Sequence, residues 1–127
     1  MSNEALAPLI AIVDDEELVR AAMDSLIRSA GYRSVAFESG AAFLDVDHKQ
    51  EIDCLILDID LPGLNGLDVH RRLVEMNYSI PTIFVTGHAG DLRERALREG
   101  VFAVLAKTSS GEALLSAIGA ALQSLGR

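Results

Sequence analysis

Cys54-Leu55-Ile56-Leu57-Asp58-Ile59-Asp60-Leu61-Pro62-Gly63 decides how the rest of this chain is read. An apolar run of strand length climbs to an aspartate, and Pro62-Gly63 then turns the chain. Apolar runs bounded by turn signals suit a strand buried on both faces of a parallel sheet. Such a strand has no structural use for a carboxylate, because a buried charge needs a partner or a shifted pKa. Asp58 therefore belongs where the strand ends and the loops begin, the edge at which open α/β sheets collect ligands and chemistry. Taken alone, Asp58 reads better as a residue that caps or hydrogen-bonds the following turn.

Outward from that stretch, the chain alternates. Leu9-Ile10-Ala11-Ile12-Val13 is a first apolar run and ends in Asp14-Asp15-Glu16-Glu17. Val19, Ala22, Met23, Leu26, Ile27 and Ala30 then recur at helical spacing, and Gly31 supplies a stop. Ser34 to Phe37 reads as a second strand, with Ser39 as N-cap of a short helix through Leu44. A polar loop from Asp45 to Asp53 leads into the central strand. Beyond it come a helix from Leu67 to Met76 and a strand from Thr82 to Val85. Next is a helix capped by Asp91, with Leu92, Ala96 and Leu97 inward and Gly100 ending it. A strand from Val101 to Leu105 comes next, then a last helix from about Ser110 striped by Leu114, Ala117, Ile118, Ala121, Leu122 and Leu125. Five strands alternating with five helices predict a doubly wound parallel sheet with right-handed crossovers.

Composition narrows the function. The 127 residues predict one domain, residues 1–127, with an ordered core from about 8 to 125. Half of the residues are hydrophobic, as in a globular protein. The net charge of −8, from 11 basic against 19 acidic residues, argues against nucleic acid as a ligand. No helix-turn-helix segment is left once the five βα units are assigned. The lone Cys54 lies inside an apolar run and reads as a small core residue in a reducing compartment. Neither a signal peptide nor a membrane span is visible, so the expected location is cytoplasmic.

The chemistry lies just beyond the carboxyl end of each strand. The first delivers Asp14 and Asp15, the third Asp58, the fourth Thr86 and the fifth Lys107. In the flavodoxin-like order 2-1-3-4-5 the first and third strands flank the switch point, so their acids converge. Three carboxylates at close range need a compensating cation. Oxygen ligands at an open edge suit Mg²⁺; His48, His70 and His88 are too scattered for zinc, and His88 reads as a surface loop residue. A carboxylate, a lysine and a hydroxyl beside Mg²⁺ make a phosphoryl-transfer site, with Asp58 as nucleophile. Singly, Asp14 or Asp15 could cap the first helix, Thr86 could form a turn, and Lys107 could be a solvated cation. Their coincidence at successive strand ends favours the joint reading.

With those residues in place, the chain resembles a receiver domain of a two-component response regulator. The resemblance spans nearly its whole length and is most similar to FixJ-type receivers. It is carried by Ile12-Val13-Asp14-Asp15-Glu16, by Leu57 to Gly66, by Val85-Thr86-Gly87-His88 and by Leu105-Ala106-Lys107. It implies Asp58 as phosphoacceptor and Asp14, Asp15, Asp58 and the main-chain carbonyl of Ile59 as the Mg²⁺ environment. Thr86 and Lys107 become the phosphoryl contacts. It further implies a histidine kinase or phosphotransfer protein as donor, a downstream output domain or protein, and a phosphorylation-dependent dimer. Such a receiver assists its own phosphorylation and dephosphorylation without being an enzyme in its own right.

Two positions depart from the family pattern. Val104 stands where an aromatic residue is usual, and Thr108 stands where a cis proline usually comes after the lysine. A cis bond before Thr108 costs ~2.5–4 kcal/mol, so the Lys107–Thr108 bond is expected trans. Val104 is stiff at χ1 and short, so switching is expected to move toward the loops after the fourth and fifth strands. These departures leave a pseudo-receiver, used only for docking, as an alternative. A haloacid-dehalogenase-type phosphatase is a further one, because Asp58 and Asp60 imitate its Asp-x-Asp motif. Pro62 stands where that family places Thr or Val, and the second acidic pair comes too early.

Overall fold

The computed structural model describes residues 7–87 and 89–125. His88, expected in a surface loop, lies outside them, as do the chain ends included in the 1–127 domain.

The strands are β1 (Leu9–Val13), β2 (Arg33–Phe37), β3 (Cys54–Asp58), β4 (Thr82–Thr86) and β5 (Ala103–Ala106). The helices between and after them are α1 (Glu17–Ser29), α2 (Gly40–Leu44), α3 (Gly66–Glu75), α4 (Ala89–Arg98) and α5 (Gly111–Gln123). The sheet is parallel throughout, in the order β2-β1-β3-β4-β5 that the sequence predicts.

Strand alternation divides the core into two layers. Ala11, Val13, Leu55, Leu57, Phe84 and Val104 face α2, α3 and α4, where Phe43, Val69, Leu73 and Ala96 meet them. Ile10, Ile12, Cys54, Ile56, Ile83 and Val85 face α1 and α5, against Ile27, Leu114, Ile118 and Ala121. With both faces covered, β3 is buried at every position, which is why its sequence is an unbroken apolar run rather than an alternating one. Cys54 is fully buried there, and its thiol is pushed up to about 12, chiefly by desolvation.

Three helices stop in the same way. Tyr32, Tyr78 and Val101 each donate a backbone N–H five residues back, to Ile27, Leu73 and Ala96. The residue before each has positive φ: Gly31 (92°), Asn77 (65°) and Gly100 (93°). This left-handed stop satisfies the last carbonyls of each helix. Val101 is consumed by that device, so β5 starts at Ala103, later than its apolar run suggests. Ser39 caps α2 as expected, accepting from the Ala42 amide, and Ser110 caps α5, accepting from the Ala113 amide.

Four expectations are corrected. α4 begins at Ala89, so Asp91 sits in its first turn instead of capping it. Leu97 is exposed, since it lies roughly 140° round the helix from Leu92 at 100° per residue, whereas Ala96 lies only about 40° away. Leu125, placed on the α5 stripe, is exposed as well. The segment 45–53 is also less polar than it reads. It contains a 3-10 turn, Lys49–Glu51, and Lys49 is buried, donating to the Val46 carbonyl and lying over the Tyr78 ring.

Candidate phosphoryl site

Strand parity also decides which side chains meet at the carboxyl edge. Asp14 and Asp58 continue the alternation of Ile12 and Ile56, and Lys107 that of Leu105, so all three belong to the α1/α5 side. Thr86 continues Phe84 and belongs to the other side. Lys107 Nζ lies 2.9 Å from Asp58 Oδ2 and 3.4 Å from Glu16 Oε1. The Thr86 hydroxyl instead donates to Asp60 Oδ2 at 3.1 Å.

The loop after β3 is held by its own backbone. The Asp60 amide donates to Asp58 Oδ1 at 2.9 Å, and the Gly66 amide donates to the Ile59 carbonyl at 3.1 Å. A Cβ on Gly66 would stand 2.8 Å from both the Asp58 carbonyl oxygen and the Ile59 Cα. Only glycine lets α3 start so close beneath the site. Gly63, with φ of 74°, makes the turn after Pro62.

Asp14 is almost fully buried. Its Oδ1 accepts from the Glu16 amide at 2.8 Å, which shapes the turn into α1 without capping that helix, whose N-cap residue is Glu16 and has no side-chain cap, while its carbonyl accepts from Arg20. Its Oδ2 is buried and accepts no hydrogen bond from the described residues. Asp58 Oδ2 is equally buried, and the Lys107 ammonium stands against it as an ion pair. Desolvation raises the Asp14 carboxyl above its ordinary pKa; the Glu16 amide opposes this, and the Asp58 charge adds to it. Burial alone would lower the Lys107 ammonium, but Asp58, with Asp14 and Glu16 behind it, outweighs burial and raises it.

Asp14, Asp15 and Glu16 bring one carboxylate oxygen each within 4.8 Å of one another. A buried carboxylate oxygen without a donor, next to two solvent-facing acids, fits a hard divalent cation that keeps part of its water shell. Sequence reasoning passes over Glu16 as a site residue, although it stands in the same acidic run. It reaches Asp60 only through an Asp-x-Asp pattern. The available signal is its position two residues past Asp58, which returns a side chain to the same edge. The Ile59 carbonyl accepts from the Gly66 amide and keeps a second lone pair.

After the lysine, the chain makes a turn closed by the Ser109 amide on the Ala106 carbonyl at 2.9 Å. No cis peptide bond occurs among the described residues, so Lys107–Thr108 is trans as expected. Val104 is fully buried.

Residues 10–119 match the family model of the response regulator receiver domain. The chain belongs to that family, the receiver domains of two-component response regulators. It is 42% identical over 117 residues to the response regulator protein TmoT of Ectopseudomonas mendocina, covering 91% of this chain and 53% of TmoT. It is 29% identical over 116 residues to the transcriptional regulatory protein FixJ of Bradyrhizobium diazoefficiens, covering 90% and 56%. The chain thus spans about half the length of the curated relatives it matches. Among solved structures, a response regulator receiver protein from Burkholderia phymatum superposes with a TM-score of 0.81 at 37% identity, covering 91% of this chain and 95% of that one. No helix among the described residues is long and apolar enough to cross a membrane.

Proposed function

We propose that this chain acts as one receiver domain in which Asp58 takes a phosphoryl group from a histidine kinase or phosphotransfer protein. The observation that carries the reading is the buried Asp58 carboxylate, with Lys107 at 2.9 Å and the buried Asp14 beside it. In the transfer, an Asp58 carboxylate oxygen forms a bond to phosphorus as the phosphorus–nitrogen bond of the donor phosphohistidine breaks. Lys107 neutralises charge on the phosphoryl oxygens, and the Thr86 hydroxyl donates to one of them once the group is in place. Asp14, Asp15, Asp58 and the Ile59 carbonyl would hold Mg²⁺, with Glu16 within reach. Bound Mg²⁺ would supply further positive charge against the same oxygens. The modified domain would then change its binding to an output domain or protein, or to a second copy of itself, in a cytoplasmic relay.

The test is phosphorylation by acetyl phosphate, read by intact mass. One phosphoryl group should add in the presence of Mg²⁺. None should add with chelator or in Asp58→Asn. Labelling of equal stability in Asp58→Asn defeats the assignment. Turnover of a generic phosphomonoester would instead favour the phosphatase reading, and a chain that stays unlabelled would be a docking module.

A further inference from the structure

The Thr86 hydroxyl has one proton to donate. In this structure the hydroxyl lies 3.1 Å from Asp60 Oδ2, placed to donate to it. A phosphoryl group on Asp58 needs the same proton, so the two acceptors compete for it. Asp60 competes well because it is charged, and hydrogen bonds to carboxylates are stronger than those to neutral acceptors. It is also held in range: its amide is tied to Asp58 Oδ1 at 2.9 Å, and Gly66 packs against the backbone of the same loop. Thr86 is fully buried, whereas Asp60 is exposed. When the hydroxyl leaves, the carboxylate returns to water and is not stranded, so the contact can open.

We propose that Asp60 is a resting-state latch on Thr86, whose carboxylate holds the hydroxyl away from the phosphoryl position and so sets how far modification of Asp58 shifts the domain. The proposal rests on Asp58 being the phosphoryl acceptor. Asp60 acts through Thr86 and is therefore a positioning residue. Its charge alone could also repel a phosphoryl group, and the test must separate repulsion from latching.

The probe is beryllium trifluoride with Mg²⁺, titrated into the full chain and followed by the Thr86 methyl and backbone amide NMR signals. Asp60→Ala should lower the apparent dissociation constant by about tenfold, the scale of one charge-assisted hydrogen bond in competition with water. Asp60→Asn, which keeps an acceptor but loses the charge, should fall between. In a Thr86→Ala background the same Asp60→Ala change should alter the constant by less than about twofold, because the coupled partner is gone. The Thr86 methyl signal of Asp60→Ala should also move before any probe is added. An equal gain in both backgrounds would mean simple repulsion and overturns the latch, as does no gain with Thr86 intact. A folded wild-type chain that ignores the probe defeats the Asp58 reading itself, and the latch with it.

Discussion

At the scale of single residues, the site is an electrostatic compromise. Asp14 is buried with one oxygen lacking a donor and with the Asp58 charge nearby. Its raised pKa means that the folded state holds the proton more tightly than the unfolded chain. The resulting contribution to stability is present at low pH and is lost as pH rises through the folded pKa. At neutral pH without metal, the ionised carboxylate is therefore a cost. Asp14→Asn keeps the acceptor for the Glu16 amide and removes the charge. It should raise the melting temperature of the metal-free protein, by a gain on the order of 1 kcal/mol, the low end for replacing buried charges. It should also weaken the dependence of phosphorylation on Mg²⁺. An unchanged or lowered melting temperature would show that Asp14 is not strained. Lys107 is the complementary case. Lys107→Ala should slow phosphoryl uptake by the ~3–4 kcal/mol typical of removing one preorganised donor, read from single-turnover kinetics with acetyl phosphate. Unaltered kinetics would remove Lys107 from the site.

At the scale of elements, function depends on how strands end and how the next helix begins. Gly66 lets α3 approach the Asp58–Ile59 backbone, and the Ala106–Ser109 turn presents Lys107. Val104 sits within the α3/α4 layer of the core, fully buried. A short β-branched side chain packed there has no outward position to sweep into. Signal-linked change should therefore fall at the end of β4 and the first turn of α4, and in the turn from Lys107 to Ser110. Amide NMR spectra with and without a phosphoryl mimic should show the largest shifts in those two segments. Shifts concentrated at Val104 and the outer face of α4 would contradict this. Leu97, exposed on that face, supplies a convenient reporter position.

For the whole molecule, acid should loosen the fold in stages. His70 is buried, its Nδ1 lacks a partner, and its ring meets the Phe84 ring edge-on at 6.2 Å. Burial holds its imidazole below the ordinary value, with Glu99 opposing. The unfolded chain takes up a proton near pH 6.5 that the folded chain refuses. This contribution to stability is complete above that value and is lost as pH falls toward the lower folded pKa. The slope from this one group is at most about 1.4 kcal/mol per pH unit. Asp24 and Glu99 are lowered too, the first by Ser34 and the second by Arg71. Their contributions disappear later, as pH drops below the ordinary carboxylate range. Urea unfolding at about pH 7.5 and about pH 5.5 should show a loss that His70→Phe largely removes. The same loss in both proteins would exonerate His70.

While the sheet order came with the family resemblance, the sequence by itself determined the alternation of strands and helices and the identity of the acids, the hydroxyl and the lysine. Those features come from period, apolar runs and turn residues, all of which are local. It misplaced the start of α4, the inward face at Leu97 and the start of β5, because helix phase and a left-handed stop depend on two or three residues at an end. Only the tertiary structure decided the partners. By strand parity Asp14, Asp58 and Lys107 fall on one face of the sheet and Thr86 on the other; the lysine pairs with Asp58 and Glu16 and the hydroxyl with Asp60. Sequence spacing could bring all of these residues to one edge. Which of them touch was fixed by the pleat of three neighbouring strands and by the path of the loop after Asp58, and those are properties of the assembled sheet.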